Sequence, residues 1–114
     1  MKVRSYEKDG VEIVEPRGKL LGGADTGELD EKLYALLGRG EKKVVIDLGS
    51  TDWMNSSGID ILIHHYKKFS EIGGHLKLAN LTKNIEKILI IAKLTTVFET
   101  HDSLDAAIAS FEKA

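Results

Sequence analysis

The stretch from residue 44 to residue 58 constrains the fold most strongly, because a strand, a short polar loop and a helix start follow one another within it. Residues 44–48, VVIDL, are almost continuously apolar, which is typical of a parallel strand covered on both faces. Residues 49–52, GSTD, interrupt that run, and residues 53–58, WMNSSG, are predicted to open a helix. Since open α/β sheets place functional groups at such junctions, this stretch is the candidate site.

The composition indicates one domain, residues 1–114, that needs no disulfide to fold. A chain of 114 residues can bury a core without a metal or a disulfide. The absence of cysteine excludes disulfides, thiol catalysis and cysteine-ligated metal sites. A formal net charge of -2 gives no electrostatic footprint for nucleic acid and no polybasic membrane anchor. With no stretch typical of a signal peptide or a membrane span, we expect a cytoplasmic protein whose partner is another protein.

The N-terminal third is predicted to begin with a β-hairpin. Residues 3–8 and 11–15 have extended character on either side of Asp9-Gly10, which is a strong two-residue turn signal. Pro16 cannot donate a ladder hydrogen bond, so it marks a strand end or an edge position. The glycine-containing residues 17–24 that follow are predicted to form a loop.

Two helices are predicted around the central strand. Asp25 and Glu28 have capping-box spacing, and the first helix runs from there until the pattern stops at Gly38 and Gly40. The second helix begins at the junction and is closed by glycines 73 and 74. The apolar positions of these helices are Leu29, Leu33, Leu36 and Leu37, then Ile59, Leu62, Ile63, Tyr66 and Phe69 or Ser70. The opposite face of the second helix carries Asp60, His64, Lys67 and Lys68.

The C-terminal third is predicted to continue the alternation of strands and helices. Residues 75–79 form a strand, a third helix starts near Thr82, residues 96–100 form a brief strand, and Ser103 caps a terminal helix. Ile90 and Ile91 widen the apolar arc of the third helix, which indicates burial on more than one side or a contact surface. The predicted fold class is therefore α/β: a mixed, mostly parallel sheet of four to five strands with an N-terminal hairpin, packed against about four helices.

The residues do not support an enzyme. The serines of NSSG fail the GxSxG pattern of many hydrolases, and His64 and His65 lie about 12 Å further along the helix at 1.5 Å per residue. The four histidines also lack the spacing of metal ligands and are expected at solvated positions. The glycines at 18, 22 and 23 match no phosphate-binding motif. We therefore expect no catalysis, no metal and no cofactor.

The polar residues of the junction have a simple structural explanation beside a functional one. Asn55, Ser56 and Ser57 are favoured helix caps, but three in succession exceed what one cap requires, and a hydroxyl at an exposed helix start is accessible to another enzyme. Trp53 is expected in the core or at its rim, with an interface as the alternative. Asp47 is expected to accept hydrogen bonds at the end of its strand.

The same residues resemble a known family. VIDL at residues 45–48 followed by WMNSSGI at residues 53–59 is similar to the signature of STAS domains, the sulfate-transporter and anti-sigma-factor-antagonist group. The similarity continues through residues 81–89, LTKNIEKIL, and residues 94–98, LTTVF, to residues 102–107, and begins upstream at GKL, residues 18–20. It therefore covers nearly the whole chain.

The resemblance implies a STAS fold and a bacterial anti-sigma factor antagonist. In that family the serine that matches Ser56 is phosphorylated by an anti-sigma factor that is also a serine kinase. The unphosphorylated protein binds this kinase and releases the sigma factor, and a PP2C-type phosphatase resets the switch. The expected partner-binding residues surround Ser56; they are Gly22, Gly23, Asp25, Trp53, Asn55, Ser57, Gly58 and Asp60. A monomer or a weak homodimer is expected.

The chain departs from the family at two positions. Asn55 stands where members often carry Asp, and Leu21, followed by two glycines, stands where they often carry an acid. Asp25 or Thr26 is a candidate to replace that acid. The alternative function is a phosphorylation-independent STAS scaffold in a signalling complex, with Ser56 serving only as a cap.

Overall fold

A five-stranded mixed sheet forms the centre of the molecule. A computed structural model describes residues 2–113, without the side chains of Ala24, Asp25 and Lys113. The strands are β1 (Lys2–Lys8), β2 (Val11–Arg17), β3 (Lys19–Leu20), β4 (Lys43–Asp47), β5 (Trp53–Met54), β6 (His75–Ala79) and β7 (Thr100–His101). The main sheet has the order β1-β2-β4-β6-β7, and β3 pairs with β5 in a small separate ladder. Only the β1–β2 pair is antiparallel among these pairings.

The predicted N-terminal hairpin is confirmed, and its turn has the expected backbone. Asp9 and Gly10 have φ angles of 54° and 80°, as a two-residue turn of the type that matches strand twist requires. The pairing runs from Lys8 opposite Val11 to Lys2 opposite Arg17. Pro16 lies beyond residues 12–14, where β2 pairs with β4, so its missing donor does not interrupt that ladder.

Four helices surround the sheet: α1 (Gly27–Gly38), α2 (Ser56–Glu71), α3 (Lys83–Ile91) and α4 (Leu104–Ser110). Three of them begin at a side-chain cap that accepts a backbone N–H: Asn55 for α2, Thr82 for α3 and Ser103 for α4. The predicted alternation of strands and helices is confirmed. No helix in the described part of the chain is both long and apolar enough to traverse a bilayer.

The sheet separates two apolar clusters because neighbouring residues of a strand point to opposite faces. In β4, Val44 and Ile46 lie in the larger cluster, whereas Val45 lies in the smaller one. The larger cluster contains the buried leucines predicted for α1 and the apolar face of α2 and α3. The smaller cluster is covered by Ala107 and Ile108 of α4 and by Phe111, which follows the helix. The near-continuous apolar run of β4 thus reflects burial on both faces, as predicted.

Two segments near the junction differ from the sequence prediction. Trp53 and Met54 form strand β5 rather than the start of a helix, and α2 begins at Ser56. The predicted loop at residues 17–24 contains the end of β2, strand β3 and the start of a short 3-10 helix, Gly23–Thr26. Both errors have one cause: β3 and β5 are two residues long and form only by pairing with each other, so neither has a local pattern.

Two further boundaries differ. The last strand is Thr100–His101 rather than residues 96–100, because the β6–β7 ladder pairs only Leu78 with Thr100 and Ala79 with His101. The first helix begins at Gly27, and its N-cap residue is Thr26 rather than Asp25; Thr26 makes no side-chain cap hydrogen bond. The side chain of Asp25 lies outside the described residues.

Candidate functional site

The candidate site lies at the carboxyl edge of β4, where the loop after the strand is held by side chains. Oδ1 of Asp47 accepts a hydrogen bond from the backbone N–H of Gly49 at 2.9 Å and another from Nδ2 of Asn80 at 3.1 Å. This joins the loops that follow β4 and β6. Asp47 therefore has the hydrogen-bonding role predicted for it.

Thr51 fixes the middle of the same loop. Its side chain is fully buried, its hydroxyl donates to the carbonyl of Pro16 at 2.9 Å, and its backbone N–H donates to the carbonyl of Leu48 at 3.1 Å. The hydroxyl of Thr82 in turn donates to the carbonyl of Thr51 at 3.2 Å. The loop is thus tied to β2 and to the start of α3, which leaves α2 with a fixed starting point.

Asn55 connects the start of α2 to the segment after β3. Its Oδ1 accepts from the backbone N–H of Gly58 at 3.0 Å, which is the N-cap hydrogen bond. Its Nδ2 donates to the carbonyl of Leu21 at 2.9 Å, and its backbone N–H donates to the carbonyl of Leu20 at 3.1 Å. Asn55 is therefore both a helix cap and a clamp on residues 20–21.

Two glycines allow the β3 segment to approach α2 closely. A Cβ on Gly58 would lie 2.3 Å from the carbonyl oxygen of Leu20, and a Cβ on Gly22 would lie 2.3 Å from Cβ of Ser57. Gly22 also has a φ of +82°, which disfavours any side chain. The structure thus gives Gly22 and Gly58 a packing reason for being glycine; their predicted contact with a partner stays a prediction.

Ser56 and Ser57 occupy the first two positions of α2, and both are exposed. The first turn of the helix contains no acidic residue, so the backbone N–H groups at its start face no carboxylate from that turn. Ser57 additionally packs against Gly22. The arrangement presents a hydroxyl at the positive end of a 16-residue helix dipole.

The other predicted partner-binding residues lie around these serines to different degrees. Trp53 is 47% exposed rather than buried, Gly23 and Asp60 are exposed, and Asn55 is half-buried. Leu21, which the sequence prediction did not include, is 40% exposed beside the Asn55 clamp. Thr26, considered as a replacement for the missing acid, is fully buried, and its hydroxyl donates to the carbonyl of Gly23.

The histidines were predicted at solvated positions, and for His65 this was wrong. His65 is fully buried between α1 and α2, where its Nε2 donates to Oδ1 of Asp30 at 2.7 Å. Its Nδ1 is buried and has no partner within the described residues. Burial lowers the pKa of His65 against the opposing effect of Asp30. His65 lies three residues after Leu62 and four residues before Phe69, which are both buried. This helical spacing is the sequence signal that places His65 on the buried face.

The described residues contain no group of three or more histidine, aspartate or glutamate side chains arranged to hold a metal ion. Tyr34 and His64, whose side chains are hydrogen-bonded across α1 and α2, lie beside His65 with ring centroids 4.7 Å and 5.0 Å from it. This aromatic cluster packs α1 against α2 about two helical turns beyond the serines.

Comparison with known proteins gives a consistent result. The model of the STAS domain family matches residues 2–107. BtrV of Bordetella bronchiseptica, which is named as an anti-sigma factor antagonist, is 29% identical over 114 residues, covering 100% of this chain and 97% of BtrV.

The solved structures that resemble the chain share its fold. A Thermotoga maritima protein named as an anti-sigma factor antagonist superimposes with a TM-score of 0.85 at 19% identity, covering 95% of this chain and 92% of that one. Unphosphorylated SpoIIAA superimposes with a TM-score of 0.74 at 11% identity and 99% coverage of both chains. The phosphorylated form of SpoIIAA, from Bacillus, gives a TM-score of 0.70 at 13% identity, covering 92% and 96%.

Proposed function

The chain belongs to the STAS domain family, and we propose that it is an anti-sigma factor antagonist whose binding to its partner is switched off by phosphorylation of Ser56. The observation that carries this proposal is the exposed serine at the first position of α2, directly after the Asn55 cap. The similarity to BtrV supports the general function, and the existence of a phosphorylated form of SpoIIAA supports the kind of switch. The protein acts as a ligand and a substrate rather than as an enzyme.

The position of Ser56 makes a phosphate compatible with the fold. Phosphorylation adds about -1.5 to -2 charges and three acceptor oxygens. At a helix N-terminus the free backbone N–H groups and the helix dipole favour a negative charge. No acidic residue of the first turn opposes it, and the repulsion from Asp60, four positions along the helix, is small because its side chain is exposed to solvent. Phosphorylation therefore leaves the folded domain stable and acts on binding.

The effect on binding follows from desolvation. Ser56 lies among the exposed residues Leu21, Trp53 and Asp60, which form the surface offered to the partner. A phosphate enclosed in that interface without a cation opposite it loses several kcal/mol, and each 1.4 kcal/mol or so is about tenfold in affinity. One phosphate thus reduces affinity by orders of magnitude.

The proposed partners are an anti-sigma factor that is also a serine kinase and a PP2C-type phosphatase that removes the phosphate. Incubation with that kinase and ATP, followed by mass spectrometry, tests the site. We expect a single phosphate on the wild type and on Ser57→Ala, the matched control that removes the neighbouring hydroxyl. Ser56→Ala remains unmodified. A phosphate on Ser56→Ala, or none on the wild type, would contradict the proposal.

Titration of the kinase with unmodified variants tests the switch itself. Ser56→Asp is expected to bind at least about tenfold more weakly than the wild type, since a single unpaired charge in an interface costs several kcal/mol, whereas Ser56→Ala binds normally. Thermal unfolding of both variants should stay close to that of the wild type. Equal affinity of all forms would favour the alternative, a scaffold that binds independently of phosphorylation.

A further inference from the structure

A second concave surface lies at the opposite end of β4 and β6 from Ser56. It is a groove of about 400 Å³ at the amino ends of these strands and beyond the C-terminus of α4. Its lining includes Lys42, Lys43, His75, Lys77, Glu99 and Phe111. Three lysines and a histidine thus surround one carboxylate.

The central cation of the groove is fixed rather than mobile. The side chain of Lys77 is only 9% exposed. Its Nζ donates to Oγ of Ser110 at 2.7 Å, lies 3.0 Å from Oε2 of Glu99 and stands 4.1 Å from the ring centroid of Phe111. Two of the three N–H donors of this ammonium group are used by Ser110 and Glu99, and its charge also lies over the ring of Phe111.

Glu99 offsets only one of the three lysine charges of the groove. Burial alone would raise the pKa of Glu99, but hydrogen bonds from His101 and Lys77 outweigh that effect and lower it. Its carboxylate is therefore charged and shared between these two side chains, at 2.6 Å and 3.0 Å. Lys42 and Lys43 form no ion pair within the residues that the structure describes.

The backbone holds the two free lysines beside the buried one. The N–H of His75 donates to the carbonyl of Lys42 at 2.8 Å, and β4 pairs with β6 so that Lys43 lies opposite His75 and Val45 opposite Lys77. The positive charges thus converge on one concave surface, where the low-dielectric walls strengthen their field.

We propose that this groove is a binding site for small, multiply charged phosphate-bearing anions, with Lys77 as the buried anchor and Lys42 and Lys43 as the outer contacts. Charge-assisted hydrogen bonds from ammonium groups are the interactions such anions require. Because the ammonium of Lys77 lies below the surface, a freely diffusing anion reaches it and a phosphate held in a flat bilayer does not. The site is separate from the Ser56 surface.

Calorimetric titration with inorganic pyrophosphate at constant ionic strength tests the proposal. The double variant Lys42→Gln/Lys43→Gln should raise the Kd about tenfold or more, because it removes two charge-assisted contacts. The matched control Lys83→Gln/Lys87→Gln, on the exposed side of α3, changes the net charge equally and should leave the Kd unchanged. The same loss of affinity in both double variants would overturn the proposal, because it would indicate general attraction to the protein's charge.

Amide chemical shifts measured during the titration locate the ligand independently of the variants. We expect saturable shifts at Gly73, His75 and Ser110. Lys77→Met keeps the side-chain stem over Phe111 and removes the ammonium; its spectrum must remain that of the folded protein, and its response to pyrophosphate should be lost. Absence of saturable binding by the wild type, or shifts confined to residues outside the groove, would refute the site.

Discussion

Asn55 provides a sharp test of how the start of α2 is built, because its side chain makes two hydrogen bonds with different chemical requirements. Oδ1 accepts from the backbone N–H of Gly58, and Nδ2 donates to the carbonyl of Leu21. Aspartate retains the first bond and cannot make the second, whereas alanine makes neither. Asn55→Asp and Asn55→Ala therefore separate the cap from the clamp.

The cost of Asn55→Ala can be worked from these two bonds. Loss of an N-cap side chain costs about 1 kcal/mol, and loss of a neutral hydrogen bond costs about 1 kcal/mol more. The two losses together lower the free energy of unfolding by about 2 kcal/mol. With an unfolding entropy of about 2.1 cal/mol/K per residue over 114 residues, this loss lowers Tm by about 8 °C.

Asn55→Asp is expected to act differently. A carboxylate at the cap gains about 0.3–1 kcal/mol from the helix dipole, but its second oxygen faces the carbonyl of Leu21 without a hydrogen between them. Because Leu21 is 40% exposed and Asn55 is half-buried, water relieves part of that repulsion. The global stability should therefore fall by less than in Asn55→Ala, while residues 20–21 lose their attachment to α2.

Thermal unfolding combined with amide hydrogen exchange distinguishes the variants. The Gly58 amide should remain protected in Asn55→Asp and become exposed to exchange in Asn55→Ala. Ser103→Ala is the control: Ser103 caps α4 by accepting from the N–H of Ala106, so its loss should cost about 1 kcal/mol, the value of a cap alone. The reasoning is wrong if Asn55→Ala is no more destabilising than Ser103→Ala, or if Asn55→Asp loses protection at Gly58.

Two further predictions concern packing and protonation. Gly22→Ala should destabilise the fold by about 1–3 kcal/mol more than Gly10→Ala, because both have φ near +80° but only the Cβ at Gly22 meets Ser57; equal losses in urea unfolding would exclude this contact. Burial lowers the pKa of His65 from 6.5, so on acidification the unfolded state takes up the proton before the folded state does. The free energy of unfolding should therefore fall as pH drops below about 6.5, and this group should have no effect above that pH. His65→Gln should remove that part of the pH dependence, and an unchanged slope would show that another group is responsible.

The main elements of the fold could be predicted from the sequence because their signals are local. Asp9-Gly10 specifies its own turn, residues 44–48 carry the pattern of a doubly covered strand, and Thr82 and Ser103 cap the helices that follow them. Each of these signals depends on a few neighbouring residues, and the structure confirms them.

The features that could not be predicted depend on contacts between distant residues. Strand β3 forms because Lys19 and Leu20 lie opposite Trp53 and Met54, more than thirty positions away. The hydrogen bond between His65 and Asp30 joins two helices. The spacing from Leu62 and Phe69 marks His65 as buried, but no local pattern identifies Asp30 as its partner. At the site, the sequence predicted that Asn55 caps α2. Its hydrogen bond to the carbonyl of Leu21 joins residues 34 positions apart and could be seen only in the structure.

The residues around Ser56 divide into those that build the surface and those that are presented on it. Gly22 and Gly58 are buried and set the distance between β3 and α2, and Asn55 fixes that distance with hydrogen bonds. Substitutions there should change stability together with binding. Trp53 and Asp60 are exposed, so their replacement should change affinity for a partner with little effect on unfolding. Ser56 is also presented on the surface, so a phosphate on it should weaken partner binding without lowering the free energy of unfolding. That combination distinguishes the proposed switch from damage to the fold.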